Sequence, residues 1–395
     1  RKRQLCIRER ANTEMKLAEN KKLKWGDQLL TIAVFYAEKC QNKIIIAKSN
    51  EALGDYRLSE LLPDDPDNLA VAHLNDEALR KAMKYFKKAH NPEKLQQATK
   101  LYEGNKPKLR FIPFKCKISA EKFQERVEAI NKYVKSTLEK GTNAIIATLL
   151  GYGLPIFCDA ERIEKKAKEN AQTFYFETMM GAATVDSFGN IKTITHEQKE
   201  IFSMIDYAYR NVTYHVFSLV IMNGLKQGTL SYDILSNFLL KVGFDMRIGK
   251  QIGDKYVGGT YLDWVDIGMK DFLKQNEAMM DKKATDWRFC ITFLSTQFEG
   301  LLRDIVHRLG GPVTKTKHGS DTELILLEGL LESECLKQVF NENDLLLFRE
   351  TFTNAGYNIR NQVAHGMYLP EEFTSSKALL VFVSVLRLVK ATARI

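Results

Sequence analysis

The heptapeptide Arg360-Asn361-Gln362-Val363-Ala364-His365-Gly366 carries the side chains best suited to chemistry in this chain. A histidine near its intrinsic pKa can take up and return a proton at neutral pH. An arginine can grip a phosphate through two parallel N–H donors and stabilise charge added in a transition state. The segment predicts a short helix ended by Gly366, with Pro370 beyond it. On that helix Asn361 and His365 are neighbours on one face, while Arg360 lies ~140° round from His365. A long guanidinium can still reach the same pocket, or a pocket shared across a two-fold axis.

Few other residues stand at spacings that chemistry needs. Glu299 and Arg303 are one helical turn apart, which suits an ordinary salt bridge as well as a role in a site. His307 and His318 are isolated, and His73, His90, His196 and His215 form no H-E-x-x-H or related zinc pattern, so neither metal nor cofactor is expected. Gly249, Gly253, Gly258 and Gly259 are read as a connecting loop, with no G-x-x-x-x-G-K-[ST] to cradle phosphate. Phe111, Phe114 and Lys115 can stack and pair with single-stranded RNA, or simply pack as a linker against a domain. Tyr207, Tyr214 and Phe217 are read as core.

The elements that must position these residues are helical. Amphipathic runs span 25–40 and 76–89, with the acidic turn Leu62-Pro63-Asp64-Asp65-Pro66-Asp67 between them. Pro92 opens a further helix to about Tyr102. Residues 107–117 (PKLRFIPFKCK) read as an extended connector and a boundary. Ser119 caps a helix to about Lys140, and Thr195 with Gln198 matches a capping box before apolar periodicity to about Leu225. Helices over 231–242 and 260–280 complete a middle region. Beyond Lys283, Thr285 or Asp286 caps a helix to about Leu309, and a polar loop runs to Ser320. Helices near 323–332, 344–353, 359–365 and 376–393 follow, enough for a self-sufficient bundle. The expectation is an all-α chain: a basic arm and N-terminal helical region over 1–117, a middle helical region over 118–283, and a bundle over 284–395.

Composition narrows the class. With 395 residues, 45% hydrophobic and 27% charged, the chain is globular and too long for one ordinary core. The net charge of +9 is uneven, because residues 1–24 hold nine basic and only three acidic side chains. Such an arm can contact nucleic acid or acidic lipid, or remain a solvated helix. The sequence starts at Arg1 rather than Met, so a preceding segment is expected. Cys6, Cys40, Cys116, Cys158, Cys290 and Cys335 form no C-x-x-C pair, which argues against a disulfide framework and fits a reducing cytoplasm. The longest apolar runs, 144–158 and 378–389, fall short of the ~20 residues that span a bilayer. A cytoplasmic protein with no membrane partner is expected.

The C-terminal third resembles the HEPN (higher eukaryotes and prokaryotes nucleotide-binding) superfamily, whose helical bundles often form dimeric endoribonucleases with an R-x(4–6)-H signature. Phe298-Glu299-Gly300-Leu301-Leu302-Arg303-Asp304 is similar to the leading helix of that family. Thr322-Glu323-Leu324 through Leu330-Leu331-Glu332, and Asn343-Asp344-Leu345-Leu346-Leu347-Phe348-Arg349, look like its second and third helices. Asn358-Ile359-Arg360-Asn361-Gln362-Val363-Ala364-His365-Gly366 is close to the R-N-x-x-A-H-G form of C-terminal HEPN domains in large bacterial proteins. The resemblance covers about residues 284–395.

It implies Arg360 and His365 as the catalytic pair, Asn361 in the polar position beside them, and a site composed from two protomers of a homodimer. The implied reaction is attack of an RNA 2′-hydroxyl on the adjacent phosphate. Its ends would be a 2′,3′-cyclic phosphate and a 5′-hydroxyl. Glu299, Arg303 and Tyr368 are the candidate substrate-binding residues. Some toxins of the superfamily carry R-x(4)-H-x-Y, with a tyrosine nucleotidylated by an antitoxin. Here Tyr368 follows His365 by three residues rather than two, a departure from that spacing. The resemblance further implies a prokaryotic toxin or anti-phage effector, with an inhibitor or sensor protein as partner. The competing expectation is a non-catalytic RNA-binding or dimerisation module in a larger complex.

Overall fold

The computed structural model describes residues 9–13, 26–65, 68–110, 120–152, 160–169, 182–185, 191–195, 214–316, 321–354 and 356–395. The architecture is all-α, with two-stranded antiparallel hairpins between some helices. The chain divides into two compact units, Arg1–Pro113 and Phe114–Ile395, and the division falls inside the extended connector expected at 107–117. Phe111, Phe114, Lys115 and Ser119 lie outside the described residues, as does most of the basic arm.

In the first unit α1 (Gly26–Cys40), α2 (Lys43–Ser59), α3 (Leu69–Lys88) and α4 (Pro92–Asn105) pack in sequence. Asparagine starts three of them. The side chain of Asn42 accepts the Ile44 and Ile45 N–H groups, Asn68 accepts that of Ala70, and Asn91 accepts that of Lys94. These bonds satisfy donors that the first helical turn leaves open. Pro92 takes the first helical position, as read from the sequence. At Gly54 on α2, a Cβ would lie 2.5 Å from the Phe86 ring, so the two helices meet only over a glycine.

The second unit is built from more elements. The helices α5 (Ala120–Glu139), α6 (Thr142–Leu149) and α7 (Ala160–Glu169) precede a hairpin of β1 (Ala182–Val185) and β2 (Ile191–Thr195). Then come α8 (Tyr214–Lys226), α9 (Tyr232–Leu239), the hairpin of β3 (Arg247–Ile252) and β4 (Lys255–Thr260), α10 (Tyr261–Met280) and α11 (Arg288–Arg308). The hairpin of β5 (Thr314–Thr316) and β6 (Thr322–Leu324) leads to α12 (Leu327–Leu331), α13 (Glu342–Phe352), α14 (Ile359–Ala364), α15 (Ser375–Arg387) and α16 (Val389–Thr392).

The core forms around α15. Every residue from 378 to 392 is buried, because α6, α8, α10, α11 and α13 surround this helix. A largely apolar run too short for a bilayer is therefore a central helix, buried on all sides, Ser384 and Arg387 included. Phe382 of α15 stacks on Phe272 of α10 with ring centroids 4.0 Å apart, and Phe298 of α11 stacks on Phe352 of α13 at 4.1 Å. Each such side chain contributes about 1.5–3 kcal/mol by leaving water. Residues on both sides of position 283 belong to this one core, which runs from Val134 to Ala391.

Several local expectations are corrected. The glycine-rich stretch 247–260 is a hairpin, not a loop, with Gly249 facing Gly258 and a tight turn at Gly253-Asp254. The strand alternation is hidden because glycine has no side chain to alternate. Thr322–Leu324 forms a strand rather than the start of a helix, pairing with Thr314–Thr316 in the stretch expected to be a polar loop. Thr195 ends β2, and Gln198 lies outside the described residues. Of the two cap candidates Asp286 serves: its Oδ1 accepts the Arg288 N–H at 3.0 Å in the first turn of α11, while Trp287 between them already has helical φ and ψ. The last predicted helix is two, joined at Leu388. Among the described residues no helix is long and apolar enough to cross a membrane.

Candidate functional site

The turn into α14 is set by backbone contacts. The Tyr357 N–H donates to the Glu350 carbonyl at 2.7 Å, and a side chain at Gly356 would run into that same carbonyl. The buried Asn358 takes a left-handed φ of 51° and donates its Nδ2 to Asn354 Oδ1 at 2.8 Å. Ile359 and Gln362 then bury one side of α14, and Arg360 and Asn361 remain half-exposed.

The other end of α14 closes on a glycine. Gly366 has φ +62°, its N–H donates to the Val363 carbonyl at 3.1 Å, and the Met367 N–H reaches back to Gln362 at 2.8 Å. This paired ending needs a left-handed residue at the glycine position. His365 is the last residue before it, and its side chain is exposed. Arg360 and His365 are thus held ~7.5 Å apart along one helical axis. The His365 imidazole makes no hydrogen bond or ion pair to any described residue.

A single carboxylate organises the arginines. Glu299 Oε2 lies 2.6 Å from Arg360 Nε, and Glu299 Oε1 lies 2.6 Å from Arg303 Nη2. Arg303 also donates to the Ile325 carbonyl at 3.1 Å, and Arg360 Nη1 donates to Asn361 Oδ1 at 3.0 Å. The Glu299 side chain is only 9% exposed, against 31% for Arg360 and 22% for Arg303. A nearly buried anion therefore holds two guanidinium groups whose outer edges meet solvent. Two cations against one carboxylate leave the cluster positively charged.

Tyr368 belongs to a neighbouring group. Its hydroxyl donates to the Tyr357 carbonyl at 3.4 Å, and burial raises the pKa of its phenol. Lys377, in the first turn of α15, places its ammonium 4.0 Å from the Tyr368 ring centroid and 5.8 Å from that of Tyr357. The structure brings Glu299, Arg303, Arg360 and Asn361 together. His365 stands alone on the surface, and Tyr368 joins Tyr357 and Lys377. Lys377 carried no signal in the sequence, since it lies outside the motif, at the start of a largely apolar helix.

Other polar groups are less suited to a site. Among the described residues, no three His, Cys, Asp or Glu side chains gather as metal ligands. In the first unit a hollow of about 330 Å³ is lined by Asp64, Asp65, Lys108 and Arg110, and Lys108 is paired to Asp64 at 2.6 Å. Comparison with protein-family models, with curated proteins and with solved structures finds no match to this chain.

Proposed function

We propose that the Arg360–His365 segment is the site of a metal-independent endoribonuclease. The observation that carries this reading is the pinning of Arg360 by Glu299. With Nε bound to the carboxylate and Nη1 to Asn361, the Nη2 donors have no partner among the described residues. A guanidinium fixed at one edge and open at the other is oriented to receive phosphoryl oxygens. His365, exposed at the end of the same helix, supplies a group able to carry a proton.

The chemistry follows from these roles. The 2′-hydroxyl oxygen of RNA attacks the adjacent phosphorus, and the bond to the 5′-oxygen of the next nucleotide breaks. One histidine takes the 2′-hydroxyl proton, and a proton is returned to the leaving 5′-oxygen. Arg360 holds the non-bridging oxygens as their charge grows. In a homodimer joined through the C-terminal bundle, two copies of His365 would serve as base and acid. A prokaryotic toxin or anti-phage role, with an inhibitor or sensor protein controlling the site, belongs to the same reading. That context rests on analogy with the family it resembles.

A second reading has its own observation. A histidine without a hydrogen-bonded neighbour among the described residues lacks the orienting partner that a general base usually has. That favours a non-catalytic module for RNA binding or dimerisation. Purified protein and a mixed RNA pool in EDTA separate the two. Wild type should cut, and His365→Ala and Arg360→Ala should each abolish cutting while the fold and oligomeric state are kept. Equal behaviour of all three proteins would exclude the nuclease.

A further inference from the structure

Lys377 is placed unlike an ordinary surface lysine. Its ammonium sits over the face of Tyr368 at 4.0 Å and beside Tyr357 at 5.8 Å. It makes no hydrogen bond or ion pair to any described residue. Glu372 acts on it through space, and that carboxylate accepts the Leu369 N–H at 2.9 Å. Cation–π attraction positions an ammonium without using up all its N–H donors. The result is a half-buried cation with donors to spare and no carboxylate hydrogen-bonded to it among the described residues.

Its location gives the cation a purpose. Tyr357 precedes Arg360 by three residues and Tyr368 follows His365 by three. The Tyr368 hydroxyl ties these two points together on the Tyr357 carbonyl. Lys377 therefore stands at the neck of the segment that carries Arg360 and His365. A strand of RNA held at Arg360 has further phosphates on either side, each carrying a charge to be met. A surface lysine would lose rotamer freedom on meeting one, whereas the two rings have already confined this side chain.

We propose that Lys377 is a second phosphate-binding residue, holding a backbone phosphate next to the one engaged by Arg360. This rests on the RNA reading of the site. Its role is to bind and register the strand rather than to take part in bond breaking. Burial holds the Lys377 ammonium below the usual lysine range, and a phosphate beside it would oppose that shift.

The test uses the full chain and a short, fluorescently labelled 2′-O-methyl oligoribonucleotide of mixed sequence, which lacks the attacking hydroxyl. Lys377→Met keeps the apolar stem against the tyrosines and removes the charge, and Lys377→Arg restores it. Lys377→Met should weaken binding about tenfold, as loss of one charge-assisted hydrogen bond does. It should also reduce the slope of log affinity against log salt by about 0.7, the value for one single-strand phosphate contact. Lys377→Arg should recover both.

Wild-type affinity and slope in Lys377→Met would overturn the proposal, even where wild type cuts RNA and His365→Ala does not. Binding of an acidic protein partner in place of RNA would show up as no oligonucleotide binding by wild type, and that also overturns it. If wild type binds but never cuts, the nuclease reading fails alone, and the salt slope still decides Lys377. Thermal melts that match wild type exclude misfolding as the cause of weakened binding.

Discussion

Arg360 Nε meets Glu299 Oε2 at 2.6 Å, so a nearly buried carboxylate on α11 holds the motif arginine of α14. The same carboxylate holds Arg303 through its other oxygen. Glu299 thus acts as a bracket between two helices that are far apart in the sequence. It fixes which edge of Arg360 is available to a ligand.

Replacing Glu299 tests that bracket. Glu299→Gln keeps the volume, but its neutral amide cannot hold two guanidinium groups through charged acceptors. Stability should fall by about 1–3 kcal/mol, the range for charge-assisted bonds at a partly buried site. RNA cleavage should fall about 10- to 100-fold, because Arg360 would no longer be held for the transition state. Urea unfolding and single-turnover cleavage give the two readouts. Full-rate cleavage by Glu299→Gln would mean that Arg360 works without this anchor.

How much of this was legible in the sequence depends on range. Pro92, Gly366 and the apolar periodicity placed α4, α14 and most other helices, because caps and turns are local signals. Spacing alone left Glu299 paired with Arg303 one turn away; it gave no reason to pair it with Arg360. That contact depends on how α14 packs on α11, which no short window of sequence contains. The hairpin at 247–260 had a local signal, Gly253-Asp254, but three glycines in its strands hid the alternation. Lys377 was silent for the same reason as Glu299–Arg360: its partners, Tyr357 and Tyr368, are neighbours only in the fold.

A second bracket lies in the core. Asp344 of α13 meets Arg387 Nη1 at 2.8 Å and Lys390 Nζ at 2.8 Å, with all three side chains nearly inaccessible. Asp344→Asn would leave two buried cations without a counter-charge. Removing the single anion of such a group typically costs about 3–5 kcal/mol. Chemical denaturation should therefore show a large drop in midpoint at neutral pH. A loss under about 1 kcal/mol would mean that water reaches the cluster.

Lys390 gives that cluster a pH dependence. Burial lowers its pKa from the ordinary 10.5, and the Asp344 hydrogen bond only partly opposes this. The folded protein therefore releases this proton at a lower pH than the unfolded chain does. Between the lowered value and 10.5 the unfolded chain binds more protons, so stability rises with pH. The gain is complete above 10.5 and is lost as pH falls through the folded value. Lys390→Met has no proton to release, so the stability difference, wild type minus variant, should grow across that interval. Urea midpoints of both proteins at a series of alkaline pH values measure it. A constant difference would show that Lys390 titrates alike in both states.

Gly366 controls the residue beside it. Its φ of +62° is left-handed, yet a Cβ there would meet nothing within 4 Å. Gly366→Ala should therefore cost only backbone strain, about 1 kcal/mol. Gly366→Asn should cost less, because asparagine tolerates this conformation. His365 is the last residue before the turn, so strain relieved by unwinding the turn would move the imidazole. Cleavage should then fall in the order glycine, asparagine, alanine, following stability rather than side-chain size. If alanine cut faster than asparagine, direct contact between residue 366 and RNA would outweigh the helix ending as the determinant of His365 function.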